Sequence, residues 1–183
     1  MAPASLPAGT LAFWGLLGAP DIGVGYRQGF AGFELNAGVT FNYLLLSTIF
    51  EAGVRIPVLR RDRLQIAPLA ALGLEFNSGS TYFDPANFAS VALRPRVGAV
   101  VSYLVSDTVQ ALLMVDAPWA ISLNVTGAHF SPTLGAGAEF HLGGRLSVLA
   151  LGQIGVDVLK EPLGVTQVRP AWAFRLGFGY RLF

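Results

Sequence analysis

The last stretch of the chain, Val168–Phe183, reads VRPAWAFRLGFGYRLF. Every second residue from Val168 to Leu182 is an apolar, aromatic or proline side chain. The residues between them are arginine, alanine and glycine. Successive side chains of a β-strand point to opposite faces, so this two-residue period predicts a strand with one greasy face and one face of small or charged residues.

The same alternation extends back to Phe33 and places the charged residues on a single face. That face carries Glu34, Glu51, Arg55, Glu75, Arg94, Arg96, Asp116, Glu139, Arg145, Asp157, Arg169, Arg175 and Arg181. The opposite face carries Leu, Val, Ile, Phe, Ala and Tyr. Alternation with apolar residues outward and polar residues inward is the signature of a transmembrane β-barrel.

Composition agrees with a membrane protein that lacks membrane-spanning helices. Charged residues make up 13% of the chain, against about 25% in soluble domains. A spanning helix needs about 20 apolar residues in a row, but Gln65 and Glu75 interrupt one of the two best windows and Asp107 interrupts the other. The 22 glycines and 11 prolines also disfavour helices.

The pattern predicts an all-β fold, a closed antiparallel transmembrane barrel with ten strands favoured and eight as the alternative. The expected strands span residues 10–17, 22–29, 33–42, 46–58, 63–77, 90–105, 108–117, 131–142, 145–157 and 168–183. Tight connections near residues 30–32, 60–62, 106–107 and 143–144 alternate with longer ones at 78–89, 118–130 and 158–167. We expect the short turns to face the periplasm, the long loops to face outward, and residues 1–9 to form a periplasmic segment before a barrel domain at 10–183.

The first two segments leave the choice between ten and eight strands open. They are shorter than the roughly 9–11 residues that a tilted spanning strand needs. If residues 10–29 formed a plug or an arm, eight strands would remain. Pro68 interrupts the fifth segment, and we expect a bulge there because proline removes a hydrogen bond from the ladder.

Val168–Phe183 resembles the C-terminal signal of bacterial outer-membrane barrels, whose final strand ends in an aromatic residue. The resemblance implies a location in the bacterial outer membrane, contact with its lipids and lipopolysaccharide, and delivery by the barrel-assembly machinery. One departure is that Leu182 continues the outward set, so Phe183 falls one place out of phase.

The inward charges predict a lumen crowded with ion pairs. The expected network comprises Glu34, Glu51, Arg55, Glu75, Arg94, Arg96, Asp116, Glu139 and Arg175. The interior of a small barrel is barely wider than its side chains, and inward glycines would make room for arginine forks that pair with carboxylates. Either a selectivity filter or structural filling would follow from such a network.

Three polar residues near the expected outer loops, His129, Ser131 and Asp84, are weak candidates for a Ser-His-acid site. The aromatic loop residues are candidates for contact with a protein partner, a ligand or lipopolysaccharide: Tyr82, Phe83, Phe88, Trp119 and Phe130. With no cysteine and two histidines, a metal site is not expected, and no cofactor is expected either. No basic run with interleaved aromatics points to nucleic acid.

The function expected from the sequence is therefore a structural, narrow-pore or loop-binding barrel that is not an enzyme. The alternative is a membrane-embedded hydrolase or acyltransferase that acts on lipid at the outer rim.

Overall fold

In a computed structural model, which describes residues 6–182, the chain forms a closed antiparallel β-barrel. The strands are β1 (Leu11–Ala19), β2 (Asp21–Gly29), β3 (Glu34–Asn42), β4 (Ser47–Arg55), β5 (Leu59–Arg61), β6 (Leu64–Ser78), β7 (Ala89–Ser106), β8 (Val109–Ser122), β9 (Ala128–Phe130), β10 (Thr133–Leu142), β11 (Leu146–Lys160) and β12 (Thr166–Arg181). Residues 6–182 contain no helix long and apolar enough to cross a membrane.

Ten long strands form the wall, and two short ones extend them. β5 continues β4, and β9 leads into β10 in the same register against β8 and β11. Neighbours in the chain pair with each other, and β12 closes the barrel by pairing with β1, with Phe13 opposite Tyr180. Closure leaves no open sheet edge, which hydrocarbon would not tolerate.

The prediction of ten strands is confirmed, and the eight-strand alternative is wrong. β1 and β2 are full strands that pair with each other and with β12 and β3. A single residue, Pro20, connects them. The sequence pattern underestimated both strands because they run up to this tight connection with no loop residues between them.

The expected alternation of short and long connections largely holds. Four turns lie at one end of the barrel, which we call the turn end: those between β2 and β3, β5 and β6, β7 and β8, and β10 and β11. The start of β1 and the end of β12 lie at the same end. The opposite end, the loop end, carries the long connections 79–88, 123–127 and 161–165, but also two short ones, Pro20 and residues 43–46. The loop expected at 118–130 is shorter because β8 and β9 occupy most of it.

The bulge expected at Pro68 is present on the neighbouring strand. Arg55 faces Leu69 and Leu59 faces Ile66, so residues 56–58 lie opposite only residues 67–68. The backbone N–H of Ile56 still donates to the Pro68 carbonyl at 3.0 Å. One extra residue on one strand is the definition of a bulge.

The prediction that Arg145 lies on the inward face is wrong. Arg145 lies exposed in the turn between β10 and β11 and not in the lumen. The turn holds three residues, because Leu142 pairs with Leu146 and Gly143 adopts a φ of 74°. The expected two-residue Gly-Gly turn would have started β11 at Arg145.

The outer surface is apolar. Its exposed side chains include Phe13, Leu17, Phe50, Leu72, Tyr103, Leu113, Val115, Ile154, Trp172 and Phe178. The buried charged residues lie inside: Asp21, Arg27, Glu34, Glu75, Asp116, Glu139 and Asp157. The expectation for Phe183 lies outside the described residues, as do residues 1–5 of the expected N-terminal segment.

Candidate functional site

The loop half of the lumen contains a cavity of about 640 Å³. Its wall includes side chains from strands on all sides of the barrel, among them Trp14, Thr40, Glu51, Arg96, Met114 and Arg175. Phe83, Asp84 and Pro85 of the 79–88 loop also line it. Pockets that bind small molecules are typically about 300–1,000 Å³, so the cavity is large enough for a ligand.

The floor of this cavity is a buried apolar layer on β6, β7, β8 and β11. It consists of Ala67, Leu69, Val100, Leu112, Met114, Leu149 and Leu151. Every one of these side chains is at most 9% exposed. Five of them, Val100, Leu112, Met114, Leu149 and Leu151, also line the cavity.

A second buried layer, this one polar, lies between the apolar layer and the turn end. Ser102 and Glu139 are fully buried, and Gln110 and Ser147 are 4% and 7% exposed. On β7, β8 and β11, Ser102, Gln110 and Ser147 each stand between an apolar-layer residue and the turn end, and Glu139 on β10 lies directly opposite Gln110. Side chains therefore occupy the turn half of the lumen on the side of β7, β8, β10 and β11.

The buried ion pair of Arg27 and Glu34 lies on the opposite side of the lumen, on β2 and β3, where Arg27 also lines the cavity. Arg27 is 4% exposed and Glu34 is fully buried. The guanidinium donates to both carboxylate oxygens, at 2.6 Å and 2.7 Å. The backbone N–H of the fully buried Leu6 also donates to this carboxylate at 2.7 Å, so the segment before β1 is tied into the barrel.

Further ion pairs line the cavity wall. Arg96 donates from Nη1 to Glu51 and from Nε to Asp116, both at 2.7 Å. Arg94 donates to Glu75 at 2.6 Å. The structure thus brings together five of the predicted lumen residues, and charge-assisted bonds of this kind fix their geometry.

Arg175 makes two side-chain contacts in the lumen that the sequence pattern did not predict. Arg175 donates to Asp21 at 2.8 Å and also to Gln153. Asp21 and Gln153 were not in the predicted network, although the period of two already places Gln153 on the inward face. Glu139, which was predicted, is buried opposite Gln110 and away from the cavity.

The candidate residues His129 and Ser131 meet at the loop end, but with a different acid. Ser131 Oγ lies 2.9 Å from His129 Nε2 and donates to Asp157 Oδ1 at 2.5 Å. The same His129 nitrogen contacts Asp157. Asp84, the acid considered from the sequence, lies on the far side of Arg169, which bridges Asp84 at 2.7 Å and Asp157 at 2.8 Å.

This rim cluster differs from a catalytic triad in one decisive respect. In a triad the acid holds one imidazole nitrogen while the other accepts the serine proton. Here Asp157 and Ser131 share Nε2 of His129. When Nε2 carries a proton toward Asp157, it has no lone pair left to accept the serine proton. The cluster is therefore a carboxylate that accepts hydrogen bonds from its neighbours.

Arg169 also ties the 79–88 loop to the far wall of the barrel. Partial burial raises the pKa of Asp84, but the hydrogen bond and charge of Arg169 outweigh burial and hold this pKa below its ordinary value. Asn87 donates to the carbonyls of Leu45 at 3.0 Å and Ser80 at 2.8 Å. The 79–88 loop therefore crosses the mouth of the cavity and is held there by the contacts of Asp84 and Asn87.

The predicted loop aromatics fall into two groups. Tyr82 and Phe83 are 83% and 57% exposed and pack edge to face with ring centroids 4.7 Å apart. Phe88 lies in the same loop and is half-buried, beside Gly127.

The interpretation of Trp119 and Phe130 as loop residues is wrong. They are directly paired on β8 and β9, and their rings stack at 4.7 Å. Trp119 shares the outward face of β8 with the exposed Leu113, Val115 and Ile121. This aromatic pair belongs to the outer surface near the loop end, where aromatic girdles of membrane barrels form.

No group of three or more His, Asp or Glu side chains within residues 6–182 is arranged to hold a metal ion.

Comparison with solved structures supports the fold. The chain is similar to a bacterial polysaccharide outer membrane secretin at 10% identity and a TM-score of 0.55, covering 92% of this chain and 58% of that one. It is similar to the NanC porin at 9% identity and a TM-score of 0.50, covering 94% of this chain and 100% of that one. No protein-family model and no curated protein sequence matches it. The chain has the fold of bacterial outer-membrane β-barrels, and the expected location in that membrane agrees with this fold.

Proposed function

We propose that this protein is a non-conducting outer-membrane barrel that binds a ligand in its lumen from the loop end. The observation that carries the proposal is the buried apolar layer, and we infer that it closes the barrel beneath the cavity. A permeation path would have to cross this layer and the buried polar layer after it. The cavity above is of ligand size, and the 79–88 loop lies at its mouth.

This proposal differs in one respect from the charge-blocked lumen expected from the sequence. The ionic residues line the wall of the cavity, whereas leucine, valine and methionine side chains form its floor. Close packing of apolar side chains leaves few gaps as large as a water molecule. The floor therefore excludes water and ions more completely than a ring of charges would.

Planar-bilayer conductance tests the proposal. We expect the purified wild-type barrel to give no current above background, and a variant that opens both layers, with Leu112→Gly, Leu151→Gly, Gln110→Gly and Glu139→Gly combined, to give discrete conducting steps. Leu113→Gly, which alters the neighbouring outward residue, is the matched control and should stay silent. Gel mobility of unheated samples would verify that each variant is folded. Conducting steps from the wild type would contradict the proposal.

The exposed aromatics offer a further contact. Tyr82 and Phe83 lie at the loop end, where the saccharides of lipopolysaccharide or an envelope protein would meet them. The barrel-assembly machinery remains the proposed partner during biogenesis, through the β12 pattern.

The enzymatic alternative rests on the contact between Ser131 and His129. Because Asp157 occupies the same imidazole nitrogen, the pair lacks the arrangement that activates a serine. Phospholipid vesicles that contain the wild-type protein or Ser131→Ala provide the test. Release of fatty acid by the wild type and not by the variant would establish the enzyme, and equal lipid profiles would remove it.

A further inference from the structure

Among the described residues, Arg55 is the one arginine of the cavity wall whose carboxylate partner lies beyond hydrogen-bonding distance. Its Nε is buried without a hydrogen-bond partner. Its ion-pair contact, to Glu34 Oε1, is 4.0 Å long. That carboxylate is already engaged by Arg27 and by the backbone of Leu6. The positive charge of Arg55 is therefore poorly compensated.

The other arginines of the wall are each hydrogen-bonded to a carboxylate. These pairs are Arg27 with Glu34, Arg94 with Glu75, Arg96 with Glu51 and Asp116, Arg169 with Asp84 and Asp157, and Arg175 with Asp21. The charges of Arg27 and Arg96 repel that of Arg55, whereas Glu34 and Asp116 attract it from beyond hydrogen-bonding distance. A buried or partly buried charge is costly unless it is paired, so this position favours an anion from outside the chain.

The surroundings of Arg55 indicate what kind of anion fits. Arg55 lines the cavity with 21% of its side chain exposed, and its direct partner on β6 is Leu69 of the apolar layer. The apolar residues Trp14, Leu112 and Leu151 line the same cavity. A ligand that reaches Arg55 therefore also contacts an apolar floor.

The charge of the wall limits the ligand to one negative charge. The acids and arginines that line the cavity are equal in number, six of each: Asp21, Glu51, Glu75, Asp84, Asp116 and Asp157, with Arg27, Arg55, Arg94, Arg96, Arg169 and Arg175. Only one guanidinium lacks a hydrogen-bonded carboxylate. A second negative charge would face the acids of the wall with no cation left to pair.

We propose that the cavity binds an amphipathic monocarboxylate, with its head group on Arg55 and its apolar tail on the apolar layer. This inference rests on the proposed function, since it requires a closed cavity. The planar guanidinium can donate two parallel hydrogen bonds to a carboxylate. The tail would cover the exposed parts of Leu112, Met114 and Leu151 and remove apolar surface from water.

Calorimetric titration of the barrel in lipid nanodiscs tests the proposal, with octanoate as the probe and empty discs as the blank. We expect octanoate to bind the wild type and to bind Arg55→Gln about tenfold to a hundredfold more weakly, because a charge-assisted hydrogen bond is lost. Arg145→Gln, which removes an exposed arginine of a turn, is the matched control and should bind as the wild type does.

Two probes test the ligand class on the wild type alone, so the inference stays testable if Arg55→Gln does not fold. Acetate has the head group without the tail, and octyltrimethylammonium has the tail with the opposite charge. Both should bind at least about tenfold more weakly than octanoate. Equal binding of all three probes, equal binding of octanoate by the wild type and Arg55→Gln, or no binding of octanoate would overturn the inference. Any of these results with a silent barrel in the bilayer would leave the closed lumen standing, whereas wild-type conductance would overturn the proposed function itself.

Discussion

At the scale of single residues, Asp84 connects a loop to the opposite wall of the barrel. Its pKa is lowered because the hydrogen bonds from Arg169 and from the Ala86 backbone N–H, together with the charge of Arg169, outweigh the effect of burial. A carboxyl with a depressed pKa in the folded state contributes its stability in full above the ordinary pKa and loses it as the pH falls through the lower value. The tie should therefore survive at about pH 3.9, the ordinary pKa of Asp, and fail only below it.

Cleavage of the 79–88 loop by pepsin, which is active in this pH range, measures that release. We expect the wild type to resist cleavage at Tyr82 and Phe83 near the ordinary pKa of Asp and to be cut faster at lower pH. In Asp84→Asn the loop should be cut quickly over the whole range. A wild-type cleavage rate that follows only the intrinsic activity of pepsin would show that the contact does not hold the loop.

The sequence could predict on which side of the wall a residue lies but not which residue it touches. The two-residue period places Asp157, Arg169 and Gln153 on the inward face from position alone. Pairing across the lumen, such as that of Asp21 with Arg175, joins residues 154 positions apart in the chain. Such contacts depend on closure and on the register of every strand between them, which no local pattern encodes.

At the scale of strands, two inward glycines make room for an aromatic ring. The indole of Trp14 on β1 lies over Gly25 and Gly38 of β2 and β3. A Cβ at Gly38 would lie 2.6 Å from Trp14 Cζ2 and 2.9 Å from the Val24 carbonyl oxygen. The sequence analysis expected inward glycines to make room for arginines, and at these two positions the neighbour is tryptophan.

We therefore expect Gly38→Ala to destabilise the barrel by about 1–3 kcal/mol, the usual cost of overpacking. Urea unfolding in lipid vesicles gives the free energy. Gly15→Ala on β1 is the matched control, since a Cβ there meets nothing within 4 Å. A smaller penalty for Gly38→Ala in a Trp14→Phe background would assign the cost to the ring, and an unchanged penalty would assign it to the Val24 backbone.

Turn signals explain which strand boundaries the sequence could predict. Pro68 predicted a bulge because proline removes a ladder hydrogen bond, and the bulge is present. The bend after β3 lacks glycine and proline, but Asn42 starts it by accepting hydrogen bonds from the N–H groups of Leu44 and Leu45 at 3.1 Å and 2.9 Å. This Asx turn is a known signal that could have been read. The pairing of Trp119 with Phe130 could not be predicted, because residues 123–127 between their strands look like part of one continuous loop in the sequence.

At the scale of the whole molecule, the barrel faces lipid on its outside and water in its cavity, and the two halves of its lumen differ in polarity. Its outer face is apolar, the loop half of its lumen is charged, and the turn half contains an apolar and then a polar layer of buried side chains. The period of two predicts the difference between outside and inside. It does not predict the division of the lumen, because leucines such as Leu112 and Leu151 look like small departures from a polar face until closure places them at one level.

The assignment of the outer face to lipid makes a prediction that depends on depth in the membrane. Val115, near the middle of β8, and Leu142, at the turn end of β10, are both outward and about equally exposed, at 56% and 55%. An arginine on the lipid face costs about 2–4 kcal/mol at the bilayer midplane and about 0–1 kcal/mol near the interface. Val115→Arg should therefore lower the free energy of unfolding in vesicles far more than Leu142→Arg does. In detergent micelles, which adapt around a charge, the difference should shrink. Equal losses for both variants in vesicles would mean that these side chains share one environment, and the barrel would then not lie across a bilayer in this orientation.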